Sequence, residues 1–333
     1  MFENKTVAVV VPCYNEETQI GGVLATMPDF VDCVIVVDDA STDETAEVVR
    51  DIMTNEKGAS RVVLIGHESN RGVGAAIVTG YKEAVARKID VTAVMAGDGQ
   101  MDPDELHALV RPVARGEADY AKGNRLFYRG VWDTMPKHRY LGNAFLSMLT
   151  KIASGYWHVA DSQSGYTAVS LSALQTIDLD GLYPRYGFPN DVLVRLNVFN
   201  FSVADLPVRP VYNVGEQSKI RLWKVVPTMS WMLLRRFCWR MKEKYVIRDF
   251  HPLVLFYLSA LVTSLAGAGL FVRLFWKWLA DGRIPPMNAL AWGLCLISSI
   301  QFSLFAMWFD MEMNRDLKVT IPTRGTGPEP GPG

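Results

Sequence analysis

Cysteine is scarce: Cys13, Cys33, Cys238 and Cys295 are scattered over 333 positions. No CxxC pair and no Cys–His spacing of a zinc site occurs. A chain of this length needs no disulfides to hold a core, so reduced, structural thiols are expected. Histidine is nearly as sparse, at five residues without a spaced cluster, and no catalysis is assigned to it. An excess of one charge sign is also missing. Lys+Arg number 34 against 35 Asp+Glu, which removes any whole-chain case for nucleic-acid binding. At 49% hydrophobic and 21% charged, the composition is neither disordered nor fibrous. No GxGxxG follows the first predicted strand and no GxxxxGK[ST] is present. That argues against the backbone phosphate cradles of dinucleotide-binding folds and P-loops. No long apolar run follows a basic stretch at Met1–Lys5, so no signal peptide is expected and the body should stay in the cytoplasm.

What is present is unevenly distributed. Residues 1–218 carry 19 basic and 28 acidic side chains, net −9, whereas residues 219–248 carry 9 basic and 1 acidic, net +8. Two uncharged stretches follow, Pro252–Val272 and Ile284–Phe309. A helix needs about 20 apolar residues to cross a hydrocarbon core of roughly 30 Å, and both stretches are long enough. Arg235, Arg236, Arg240, Lys242, Lys244 and Arg248 precede the first span, while the connecting loop holds only Arg273, Lys277 and Arg283 with Asp281. The larger cationic cluster marks the cytoplasmic side. Leu222–Tyr245 interleaves Trp223, Trp231, Phe237 and Trp239 with that cluster, as a helix lying among anionic headgroups requires. The expected organisation is a cytoplasmic domain over 1–220 and basic interfacial helices over 221–249. A two-span hairpin over 250–310 and a cytoplasmic tail over 311–333, with a Pro/Gly-rich disordered end, complete it. Two spans pack poorly alone, which leaves room for a homo-oligomer.

The body reads as an α/β unit. Thr6–Val11, Cys33–Val37, Val62–Ile65 and Val91–Met95 are short apolar runs suited to strands buried on both faces. Helical stretches Glu17–Met27, Glu44–Thr54 and one running from Asn70 to Ala86 separate them. Alternating strands and helices predict a Rossmann-like, mostly parallel sheet. Ligands of such sheets bind beyond the carboxyl ends of the strands. Those ends carry Tyr14, Asn15, Glu16, Asp38, Asp39, Asp98 and Gln100. Carboxylates gathered there suit ribose hydroxyls, base edges or a hard divalent cation able to hold phosphates.

Four ordered segments within the first 110 residues carry a resemblance: Val9–Glu17 (VVPCYNEE from Val10), Val36–Thr45 (VVDDASTDET), Asn70–Ala76 (NRGVGAA) with Gly80, and Gly97–Pro103 (GDGQMDP). Together they resemble the family 2 glycosyltransferases of the GT-A fold. Lys122–Arg125 (KGNR), Arg139 with Asn143, Asp161–Tyr166 (DSQSGY), Asp205–Val208 (DLPV) and Gly215–Lys219 (GEQSK) are similar to the dolichol-phosphate mannose synthase-like subgroup. In that subgroup a nucleotide diphosphate sugar, UDP- or GDP-linked, meets a polyprenyl phosphate. The resemblance implies nucleotide contacts at Pro12, Tyr14, Asn15, Glu16, Asp39, Asp98 and Lys219. It implies a divalent cation, Mg²⁺ or Mn²⁺, on Asp98 and Gln100, with Asp102 assisting, and acceptor-phosphate contacts at Arg125, Arg139 and Asn143. Catalysis would then rest on Asp98, Arg125 and Arg139. Ala96 stands where the family usually has the first Asp of Asp-Xaa-Asp, Tyr212-Asn213 where relatives commonly place an arginine, and Asn143 where serine is common. The competing expectation is a hydroxyl acceptor, which needs a carboxylate base, and Asp191 is the candidate.

Overall fold

The computed structural model describes residues 1–55, 61–126, 137–209 and 222–321. They fall into two compact units, Met1–Arg236 with Asp316–Gly333, and Phe237–Arg315. The first unit is built on an eight-stranded sheet. Its strands are β1 (Val7–Cys13), β2 (Cys33–Asp38), β3 (Val62–Gly66), β4 (Val91–Val94), β5 (Tyr120–Asn124), β6 (Thr167–Ser170), β7 (Val203–Pro207) and β8 (Lys318–Val319), in spatial order β3-β2-β1-β4-β6-β5-β7-β8. β6 runs antiparallel to both β4 and β5, and the other neighbours are parallel. This is the mixed, mostly parallel sheet expected from the alternating strands and helices.

β1 shows why the sequence folds this way. All seven of its residues are buried. Side chains alternate across a strand, so Val7, Val9 and Val11 enter one core with Leu106, Leu109 and Val110 of α4 (Leu106–Ala114). Ala8 and Val10 enter the other, with Ile77 and Tyr81 of α3 (Val73–Ala86). The remaining helices of this part are α1 (Ile20–Ala25) and α2 (Thr45–Asn55). Gly80 lets α3 approach closely, since a Cβ there would fall 2.3 Å from a Val10 methyl. The sequence suggested that Pro12 ends β1, yet the strand continues to Cys13. Pairing with β4 stops at Val10, and the Pro12 carbonyl accepts from Gly97 N on that side (3.2 Å). The missing N–H therefore faces a position where no ladder bond is lost.

After β5 come α5 (Lys137–Ser154), α6 (Leu171–Thr176), α7 (Phe188–Val198) and α8 (Leu222–Lys242). α8 buries Met229, Met232 and Leu233 while exposing Trp231, Leu234 and Arg235. β8 was not signalled by the sequence, which offered only a tail there. Its two residues pair with Val203 and Ala204 on the edge of β7.

The second unit holds α9 (Leu253–Asp281) and α10 (Pro286–Met313), both long and apolar enough to cross a membrane. Each extends past the uncharged run that predicted it, because Arg273 and Lys277 near the end of α9 do not break helical bonding. Gly282, at φ +63°, stops α9 by returning its N–H to Trp278 O. Small and polar residues are buried within the pair beside Leu253, Leu274 and the Phe256–Phe302 and Phe271–Trp292 ring contacts, while many large apolar residues face outward. Ala260, Gly267, Ser299 and Ala306 are buried, and the Ser264 and Ser299 hydroxyls meet, while Leu258, Leu265, Leu294, Ile297 and Trp308 are exposed. Water would oppose this distribution, whereas lipid favours it.

One charged cluster closes this unit. Arg240 grips Asp310 through two 2.9 Å bonds, both fully buried, and Tyr245 OH donates to Asp310 at 2.8 Å. Asn314 joins through Tyr245 and Lys244. Tyr245 and Lys244 lie on a π-helical turn, Glu243–Arg248. Removing one partner of a buried pair strands the other charge, at about 3–5 kcal/mol. Asp310→Ala should therefore lower the thermal unfolding temperature in detergent strongly, and Arg240→Met paired with Asp310→Leu should recover much of the loss. An Asp310→Ala melting curve superimposable on wild type would show the pair to be dispensable.

Candidate active site

The carboxyl ends of β1, β2 and β4 place the acidic turns on one sheet edge. Pro12 lies in β1, Tyr14 is exposed after it, and Asn15 occupies the left-handed region at φ +59°. Its side-chain oxygen accepts from Thr42 N (2.8 Å), and its own N–H reaches Ser41 Oγ (3.0 Å). Glu16 N donates to Thr45 Oγ1 (2.8 Å). The turn after β1 is thus pinned to the turn after β2. Asp38 accepts from Ser41 N and Oγ and shapes its own turn. Asp43 binds Thr45 N and Oγ1; burial opposes its ionisation, but these bonds win and hold it below the usual carboxylate range.

Asp39 faces a different set of partners. Its carboxylate accepts from Arg71 N (2.9 Å), Gly72 N (2.7 Å) and His67 Nδ1 (2.7 Å). The turn before α3 depends on Gly72 at φ +96°, where a Cβ would fall 2.6 Å from the Pro184 carbonyl. The sequence, whose five histidines form no spaced cluster, does not single out His67. Its position one residue beyond β3, on the ligand-bearing edge, was the available signal.

Beyond β4, Gly99 adopts φ +70° and lets Asp98 Oδ1 accept from Gln100 N (3.1 Å). Asp98 and Gln100 are both partly exposed. Asp102 caps the 3₁₀ turn Pro103–Glu105 by accepting from Asp104 N, and its carbonyl takes the Tyr166 hydroxyl (2.8 Å). No group of three or more His, Cys, Asp or Glu poised for a metal occurs among the described residues. Asp98 and Gln100 supply two hard oxygen donors. That set fits Mg²⁺ or Mn²⁺ only where substrate phosphates and water complete the shell.

The second group collects where β5 ends and β6 begins. Asp161, nearly fully buried, takes Arg125 Nε at 2.7 Å and its Nη2 at 3.2 Å, while Gln163 N donates to the same carboxylate. Burial would raise this carboxyl, but the Arg125 charge and bonds, aided by Lys122, hold it below its usual range. Arg125 is thereby fixed in orientation with a quarter of its side chain exposed. Beneath it, fully buried Lys122 donates to Ser164 O, and burial lowers its ammonium to about 8. Asp205 accepts from Asn124 Nδ2 (2.7 Å) and Ala160 N (3.1 Å), and burial raises it to about 6. Arg139 and Asn143 lie one turn apart on α5, with side chains outside the described part, and Lys219 lies outside the described residues altogether.

Asp191 follows Asn190, whose Oδ1 accepts from Gln163 Nε2 (3.3 Å) beside the Asp161 turn. It is fully buried in the first turn of α7, pairs with Arg236 Nε at 2.7 Å, and accepts from Tyr183 N at 2.8 Å. Burial raises its carboxyl in spite of the Arg236 and Arg195 charges.

Comparison with known proteins bears on what this edge does. Residues 8–178, half of the chain, match the glycosyl transferase family 2 profile. The chain belongs to this family. It is accordingly a glycosyltransferase, with the GT-A-like sheet described above. It is 30% identical over 219 residues to the UDP-N-acetylglucosamine–dolichyl-phosphate N-acetylglucosaminyltransferase of Methanococcus voltae, covering 63% of this chain and 87% of the relative. It is 29% identical over 217 residues to the undecaprenyl-phosphate mannosyltransferase of Micrococcus luteus, covering 64% and 87%. Among solved structures, glucosyl-3-phosphoglycerate synthase from Mycobacterium tuberculosis, in complex with Mn²⁺, UDP and glucosyl-3-phosphoglycerate, aligns with a TM-score of 0.52. At 21% identity over 71% of this chain and 80% of that one, it shares the fold.

The raised Asp205 carboxyl makes a pH prediction. Its proton is held more tightly folded than unfolded, so this contribution to stability is full below about pH 4 and is lost as pH rises through about 6. Asp205→Asn removes the titration. The melting temperature of the variant minus that of wild type should climb between about pH 4 and pH 6, as read by scanning fluorimetry; a constant difference would contradict the assignment.

Proposed function

We propose that this glycosyltransferase moves a hexose from a nucleotide diphosphate sugar to a polyprenyl phosphate, dolichyl or undecaprenyl, at the cytoplasmic membrane face, with inversion at the anomeric carbon. The observation that carries the reading is the Arg125–Asp161 pair, an oriented guanidinium on the same sheet edge as Asp98 and the Asp39 turn. Relatives named for dolichyl and undecaprenyl phosphate support the same acceptor.

Tyr14 and Asp39, with Pro12, Asn15 and Glu16 shaping the turn, would hold base and ribose. Asp98 and Gln100 would hold a divalent cation, which when bound offsets charge on the diphosphate leaving group. Arg125 and, from α5, Arg139 and Asn143 would place the lipid phosphate behind the anomeric carbon, and Lys219 would add positive charge near the donor phosphates. An acceptor oxygen forms the new bond to that carbon as the bond to the diphosphate breaks, its electron pair leaving with the nucleoside diphosphate. An anionic acceptor has no proton to give up, so no base is required. A hydroxyl acceptor would need one, and the buried pairing of Asp191 with Arg236 argues against that role, since a base must reach the proton it removes.

The apolar outsides of α9 and α10 and the exposed Trp231, Leu234 and Arg235 of α8 support attachment to a bilayer. Two crossings would return the chain to the face it left. The basic cluster before α9 supports the cytoplasmic face.

Membranes containing the protein, offered radiolabelled UDP- and GDP-sugars with Mg²⁺ or Mn²⁺, should yield a chloroform-soluble product labile to mild acid. Asp98→Asn should lower the rate by about 10²–10³-fold, and Arg125→Ala should raise the KM for lipid phosphate by about tenfold or more. Asp191→Asn, where its size-exclusion profile matches wild type, should retain most transfer. Near-total loss in that variant, or label passing only to a hydroxyl-bearing acceptor, would refute the phosphate acceptor.

A further inference from the structure

We propose that His67 selects the nucleobase of the donor, holding Asp39 so that it takes one N–H from the base, which fits uracil and disfavours guanine. The inference rests on the reading that Asp39 lies under the base. A carboxylate offers about four lone-pair positions. On Asp39, Oδ1 already accepts from His67 Nδ1 and Arg71 N, and Oδ2 accepts from Gly72 N. Oδ1 is filled, and one position on Oδ2 remains. Guanine presents N1–H and an N2 amino hydrogen side by side, a pair that a carboxylate takes with both oxygens. Uracil presents a single N3–H between two carbonyls. The carboxylate is 4% exposed, which suits one contact rather than a two-point grip.

His67 is built to keep this arrangement. Its ring is 5% exposed, its backbone N–H is bound to Asp38 O at 2.9 Å, and Nε2 lies 2.9 Å from Thr79 Oγ1 on α3. Both ring nitrogens are engaged, so the imidazole cannot swing away from Oδ1 without breaking two contacts. His67 thus acts through Asp39 as a positioning residue. A residue without a side-chain N–H in its place would free Oδ1 and admit the two-donor edge.

The test is binding of UDP and of GDP, each with Mg²⁺, to the full-length protein in detergent, by calorimetry. Wild type should bind UDP at least about tenfold more tightly than GDP, the factor expected for one charge-assisted hydrogen bond. His67→Phe, which keeps a ring but no donor, should shrink that ratio to about threefold or less, and Thr79→Val should move it the same way. His67→Asn, whose amide N–H can replace Nδ1–H, should restore it. Equal affinities in wild type, or tighter GDP, would overturn the proposal, as would undiminished discrimination in His67→Phe or, where that variant does not fold, in Thr79→Val. Asp39→Asn separates the two levels. If it binds both nucleotides like wild type, the placement of the base over Asp39 is what fails; if it loses nucleotide while wild type does not discriminate, the role of His67 alone falls.

Discussion

Everything at the ligand-bearing edge hangs on a strand that has no face toward water. β1 is buried on both sides and flanked in parallel by β2 and β4. Parallel pairing forces the carboxyl ends of all three to one edge, and burial forbids a slip in register, because a one-residue shift would exchange the two cores. The turns leaving that edge are consequently close together. Asn15 can bond Thr42, and Asp39 N can reach Cys13 O at 3.0 Å, across stretches distant in sequence. A set of short polar loops becomes a single surface.

That surface concentrates negative charge, and the structure handles each carboxylate with a different partner set. Asp38 and Asp43 bind local backbone and hydroxyl donors and thereby shape turns. Asp39 ties β2 to β3 and α3. Asp161 orients a guanidinium, and Asp191 is sealed against Arg236. Asp98, partly exposed beyond β4, accepts from the nearby Gln100 N. Residues of one chemical type thus serve different structural ends, according to the donors that surround them.

The hairpin follows the opposite logic. Its contact face combines small and hydroxyl-bearing side chains with aromatic pairs such as Phe256–Phe302, while many leucine and isoleucine side chains face outward. Charge reappears at the helix end, where Arg240 and Asp310 neutralise each other and Tyr245 and Asn314 also donate to the Asp310 carboxylate. A half-satisfied version of such a network would be costly in an apolar setting, and this one draws partners from α8, the π-helical turn and α10.

Much of this was readable in the chain itself. Unbroken valine runs marked strands without a solvent face, long uncharged stretches marked α9 and α10, and ordered motifs such as GDGQ and KGNR pointed to the family. These signals are local, since periodicity and composition act over neighbouring residues. Tertiary structure alone decided that Pro12 stays within β1, that Lys318–Val319 closes the sheet beside β7, that Arg125 is clasped by Asp161, and that His67 serves Asp39. Each of these is a contact between segments far apart in sequence, whose existence depends on which strands become neighbours and which turns share an edge, and no local pattern encodes that.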